Sequence, residues 1–193
     1  MIASLTSHEI EAAFLRHTTS PNQAQIDALL RKGVAPWSIA GEPRSGERAV
    51  RFGRVVFNGP CFEFDPAPDF DLPPGGEPAM VVLAFNGFGD VADLGAFRGD
   101  RIAAWLGAVA MLGRQNVLGA RLEPALNVHC TAFNWLLAGR DGVVLIDHKR
   151  AARQLWDRGP FRAADIEHAR RLQSLLTPAA PSVVLTVPER RAA

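Results

Sequence analysis

The sequence predicts a single domain over residues 1–193 of the α/β or α+β class, with a mixed β-sheet, helices mainly on one of its faces and an N-terminal helical hairpin in front. Three observations carry this expectation. Capping signals and apolar residues at helical spacing fill the first 33 residues. β-branched runs separated by turn dipeptides begin at residue 49, opening an α/β core expected over 49–188. Amphipathic helical patterns return after residue 147.

In chain order, Thr6 followed three residues later by Glu9 makes a capping box, and Ile10, Ala13, Phe14 and His17 recur at helical spacing. The first helix is therefore expected over 7–17. Ser20 as N-cap, Pro21 at the first helical position and Gly33 as terminator bracket the second. The two helices superficially match a helix-turn-helix reader. However, the exposed face of the second offers Asn22, Gln23, Gln25 and Asp27, with basic residues only at its end, so an ordinary hairpin is expected over 1–33.

Residues 49–57 and 61–64 alternate around the turn dipeptide Asn58-Gly59 and predict a β-hairpin. The Pro-, Gly- and Asp-rich stretch 65–78 reads as an exposed loop. Strands 79–85 and 91–97 follow around Asn86-Gly87. The apolar run 102–112 is expected as a buried helix, although Gly107, Ile102 and Val109 also suit two short strands. Thr131 is placed to cap a helix through Leu137, and 143–147 is a buried strand. Helices over 149–157 and 163–176 and a strand over 183–187 complete the sheet and its cover.

Composition excludes several classes. With 48% hydrophobic and 21% charged residues the chain can bury a real core, which argues against disorder. The formal net charge of +1 argues against a uniformly basic nucleic-acid binder. That near-neutrality nevertheless hides a polarity: residues 1–100 carry a net charge of −5 and residues 101–193 a net charge of +6. The early segment lacks an export signal, and no apolar run reaches the roughly 20 residues of a bilayer span. A cytoplasmic protein without membrane contact is expected. Cys61 and Cys130 read as two small buried hydrophobes in a reducing compartment. His129 and Cys130 are adjacent and no second spaced pair answers them, so neither a metal nor a cofactor is expected.

Four patterns could carry chemistry. Gly87 to Ala92 matches a GxGxxA dinucleotide fingerprint, but a returning strand follows it where a helix is needed, and a hairpin turn explains it better. The acids Glu63, Asp65, Asp69, Asp71, Glu77, Asp90 and Asp93 lack the order of a calcium loop and read as a solvated surface. His129, His148 and His168 with Cys130 would make a nucleophile and base only if folding joined them. Strand 143–147 ends in Asp147-His148-Lys149, an acid-x-lysine triplet that resembles the second half of the restriction-endonuclease-like nuclease site.

That resemblance, over 134–149, implies metal-dependent cleavage with Asp147 as metal ligand and Lys149 orienting the attacking water. The sequence departs from the pattern by placing Asn134 where the first acid belongs. Asp147 is also positioned to cap the helix that starts at Lys149, and that is the preferred reading.

More broadly, VADLGAF, RIAAWLGAVAMLG, NVHCTAFNWLLAGRDGVVLID, RGPF, DIEHARRL and PSVVLTVP, spread over about 79–188, resemble an uncharacterised bacterial family often encoded among prophage-like or mobile-element genes. The resemblance implies a partner or process in mobile-DNA biology and brings no activity.

The expected function is that of a non-catalytic accessory or interaction protein. It binds nucleic acid, or an acidic protein partner that handles nucleic acid, through the C-terminal cluster Lys149, Arg150, Arg153, Arg158, Arg162, Arg170 and Arg171. A metal-dependent nuclease using Asp147 and Lys149 is the alternative, and a homo-oligomeric structural module a third.

Overall fold

A computed structural model describes residues 5–41, 48–65, 75–119 and 125–177. The expected strand 183–187 and most of the loop 65–78, with Asp69 and Asp71, lie outside these residues. Among the described residues the fold is mixed α/β: seven helices, a closed five-stranded β-barrel and a second, smaller mixed sheet.

Helix α1 (Ser7–His17) starts at the expected capping box, in which Thr6 accepts from the Glu9 amide while Glu9 accepts from the Thr6 amide. The expected helical hairpin does not form. Thr18 and Thr19 leave α1 as a short strand, β1 (Thr18–Thr19), which pairs with β2 (Arg51–Asn58). Arg51 locks this exit by donating to the Thr18 hydroxyl at 2.7 Å and the Thr18 carbonyl at 2.7 Å. Helix α2 (Gln23–Arg31) is capped by Asn22 rather than Ser20, because Asn22 and Gln25 form their own reciprocal box. It packs on α3 (Pro36–Ala40), a short helix that the sequence pattern does not announce.

The barrel is built from antiparallel hairpins. Strand β2 turns at Gly59 (φ +61°) into β3 (Cys61–Phe64), and β4 (Glu77–Phe85) pairs with β5 (Val91–Arg98), which pairs with β6 (Arg101–Ala104). The β2–β4 pairing and a parallel Cys61–Ala104 contact between β3 and β6 close the ring. Closure removes the free edges that an open sheet would expose.

A period of two puts alternate residues of β4 on opposite sides. Ala79, Val81, Leu83 and Phe85 join Ile10 and Phe14 of α1, whereas Val82 and Ala84 join Leu29, Ile39, Trp135 and Leu136. Helices therefore lie on both sides of these strands, not mainly on one. The apolar run along β4 follows from this two-sided burial.

The predicted helix over 102–112 is replaced by β6, a crossover segment and β7 (Met111–Leu112), followed by α4 (Arg114–Gly119). Gly107 sits at φ +65°. The decisive partner is Asp93 on β5. Its fully buried carboxylate accepts from the amides of Leu94 (2.7 Å), Leu106 (2.8 Å), Ala108 (2.7 Å) and Val109 (3.4 Å). Amides held by a side-chain carboxylate are withdrawn from a helical ladder.

Strand β8 (Leu126–His129) and β9 (Val143–Leu145) run parallel, with β7 antiparallel on the far side of β9 and β10 (Phe161–Arg162) on the far side of β8. Helix α5 (Ala132–Leu137) begins at Thr131, whose hydroxyl accepts from the Asn134 amide. Helices α6 (His148–Leu155) and α7 (Ile166–Leu176) pack together and cover the outer face through Ala151, Leu155 and Leu172. Strand β9 is buried on both sides, Val144 toward the barrel and Val143 and Leu145 toward α6 and α7.

Burial raises the Asp93 carboxyl above the usual range, and the four amides only partly offset that. Asp93→Asn replaces one acceptor with a donor facing amide donors. It should destabilise the protein by about 1–3 kcal/mol in urea unfolding. Because the folded-state value is raised, the stability linked to protonation is fully present below the unfolded value and lost as pH rises through the folded one. The gap between wild type and variant should therefore widen on acidification. A gap that narrows contradicts this reading.

Candidate functional site: a histidine cleft and a basic helical surface

The Asp147-x-Lys149 triplet lies where β9 gives way to α6. Asp147 is the N-cap, and its carboxylate accepts from the Arg150 amide at 3.1 Å. Asn134 is on α5 and lines a separate groove with Lys32, Thr131 and Phe133. The other acids near this region are individually engaged. Asp141 accepts from the Asn127 side chain at 2.7 Å, Asp90 accepts from the Asn86 side chain at 3.1 Å, and Asp93 is buried on the crossover amides. Among the described residues no group of three or more His, Cys, Asp or Glu side chains stands together as a metal site. The arrangement assigns Asp147 to helix capping.

The seven basic residues singled out in the sequence separate into two groups. Arg150 donates to the carbonyls of Gly107 and Ala108, the latter at 3.1 Å, and so adds a second hold on the crossover whose amides Asp93 accepts from. Arg158 is half-buried, with Nε 3.3 Å from Asp157. Lys149, Arg153, Arg162, Arg170 and Arg171 are exposed. None of these five has an ion-pair or hydrogen-bond partner among the described residues. Lys149 and Arg153 are four apart on α6 and share a face. Of the acids on the same elements, Asp147 and Asp165 are committed to capping α6 and α7.

The fold does what the sequence could not show for the histidines. His129 at the end of β8, Cys130 after it, His148 at the first turn of α6 and His168 and Arg171 on α7 line one open cleft of about 560 Å³. Leu145, Leu172 and Leu175 contribute apolar lining, and Ser174 adds a hydroxyl. His129 Nε2 lies 2.9 Å from the Asp141 carbonyl. His168 is buried, and its Nδ1 accepts from the Ala164 amide at 3.3 Å, which leaves the proton on Nε2 in the neutral ring. Burial, with Arg171 as second cause, holds His168 below the ordinary histidine value.

The cysteines depart from expectation. Cys130 is exposed and Cys61 only half-buried. Burial of its thiol, then Asp165, push Cys130 upward, so it is kept protonated rather than prepared as a thiolate. The cleft therefore sets three imidazoles, of which His168 is held toward its neutral form, beside the Arg171 guanidinium, which suits binding of an anion more than nucleophilic chemistry. Comparison with family models, with curated proteins and with solved structures gives no match. No helix among the described residues is long and apolar enough to cross a membrane.

A proton titration followed by NMR should place His168 below the ordinary histidine value. A lowered folded-state value means stability present above the unfolded value and lost as pH falls through the folded one. Stability should accordingly drop on acidification through the histidine range, and His168→Gln should flatten that drop. A His168 titration above the ordinary histidine value contradicts the assignment.

Proposed function

We propose that the protein is a non-catalytic accessory protein of a prophage-like or mobile element, and that it binds nucleic acid, or an acidic partner that handles nucleic acid, through α6 and α7. One observation carries this reading. Lys149, Arg153, Arg162, Arg170 and Arg171 are exposed on adjoining elements and lack ion-pair partners among the described residues. By contrast, basic groups on the barrel side are answered locally: Arg48 pairs with Glu11, Arg54 with Asp65, and Arg98 and Arg101 with Glu77. Exposed guanidinium groups without carboxylate partners are suited to phosphate, and each phosphate neutralised releases counterions.

The mobile-element context rests on the resemblance of residues 79–188 and remains part of the proposal. The cleft beside Arg171 extends the basic surface inward and offers imidazole donors next to it.

Mobility shifts against mixed DNA and RNA at about 50 mM salt should show binding that weakens steeply with added salt. Reversing Arg153, Arg170 and Arg171 to Glu should weaken binding at least tenfold and make the salt dependence shallower by about 0.9 for each duplex phosphate that is no longer neutralised. Absence of any shift at low salt, together with an unsuccessful capture of acidic partners, overturns the proposal.

A further inference from the structure

The turn between β4 and β5 presents an aromatic ring to solvent on a rigid mount. Phe88 is 91% exposed. Around it, Asn86 Oδ1 accepts from the Phe88 amide at 2.8 Å and the Asp90 amide at 3.1 Å. The Asn86 amide donates to the Asp90 carbonyl at 2.9 Å and its side chain to the Asp90 carboxylate at 3.1 Å. Every one of these bonds comes from the backbone or from Asn86 and Asp90. The ring itself is dispensable to the turn and contributes nothing to the core.

Beside the ring lies a pocket of about 190 Å³ floored by Met111 and Val117. Its polar lining comes from Arg114, Gln154 and Arg158, on α4, α6 and the segment after α6. Arg114 lies along the turn, close enough that a Cβ at Gly87 would sit 3.7 Å from its Nε. Arg114 has no ion-pair partner among the described residues, and the buried Gln154 Oε1 has no hydrogen-bond partner there. An exposed aromatic face, two guanidinium groups and an unused amide acceptor meet at one spot.

We propose that this pocket is a base-stacking site for single-stranded nucleic acid, with Phe88 as the platform and Arg114 and Arg158 holding the adjoining phosphates. The proposal rests on the nucleic-acid reading above and deepens it. A single strand is favoured over a duplex because only an unstacked base offers its π-face to Phe88, and an aromatic platform beside a cationic track is how such strands are held. The pocket adjoins α6, so a strand leaving it continues onto the Arg153 side.

The test uses the full chain and fluorescence anisotropy with labelled oligothymidylate, oligouridylate and a duplex of equal length. Phe88→Ala should keep the thermal melting profile, weaken single-strand binding about tenfold or more, and leave duplex binding unchanged, while Phe88→Trp should retain single-strand binding. Equal single-strand binding by wild type and Phe88→Ala overturns the stacking site; if the reversal of Arg153, Arg170 and Arg171 still abolishes binding, the broader reading stands without it. A chain that binds the duplex but no single strand overturns the stacking site alone. A chain that binds neither overturns the stacking site and, together with an unsuccessful capture of acidic partners, the broader reading as well.

Discussion

The structure depends on a buried carboxylate that, among the described residues, is held by backbone amides and not by a cation. Asp93 stands inside β5 and gathers the amides of Leu106, Ala108 and Val109, the segment that carries the chain from the barrel to the second sheet. An ionised carboxylate in such a place is costly unless its oxygens are filled. Here four amides fill them, at the expense of a helix that the composition of 102–112 would otherwise favour. Arg150 donates to the carbonyls of Gly107 and Ala108, and the Ala110 carbonyl accepts from the amides of Ile146 and Asp147. The start of α6 is thereby tied to the crossover, and the direction of its basic face follows from that tie.

A second joint holds the two parts together. Arg140, at φ +62°, is buried and donates to the carbonyls of Ser38 at 2.9 Å and Arg48 at 3.1 Å, tying the turn after α5 to the N-terminal helices and the start of the barrel. The close approach it serves is also visible in the glycines. A Cβ on Gly142 would run into the Asn127 carbonyl, so only a residue without one fits at that positive φ. Two of the arginines that make the second half of the chain basic, Arg140 and Arg150, are thus structural. The exposed ones on α6 and α7 retain the asymmetry, because among the described residues Arg48, Arg54, Arg98 and Arg101 on the barrel side have carboxylate partners and Lys149, Arg153, Arg170 and Arg171 have none.

Local signals were legible in the sequence, and closure was not. The Thr6–Glu9 box, the Thr131 cap, the Asp147 cap and the turn at Gly59 all rest on neighbours a few residues apart. The barrel rests on β2 meeting β4 and on one parallel contact between Cys61 and Ala104, which no local pattern encodes. Helices do not gather mainly on one face because β4 is apolar on both sides. The helical hairpin gives way because Thr18 and Thr19 find a strand partner more than thirty positions away. For the site, the basic residues could be read directly, whereas the convergence of His129, His148 and His168 required the fold. Phe88 sits between glycines that formally match a dinucleotide fingerprint and read better as a hairpin turn, a pattern carried by the glycines and not by the ring. Its signal is an aromatic at the tip of a predicted turn.

Binding of nucleic acid along α6 and α7 and at the Phe88 pocket is tested most directly by photo-crosslinking a single strand that carries photoreactive thymidines, followed by peptide mapping. Crosslinks at Phe88 and on the peptides that carry Arg153, Arg170 and Arg171 are the predicted result. Crosslinks confined to the α1 side of the barrel would contradict it.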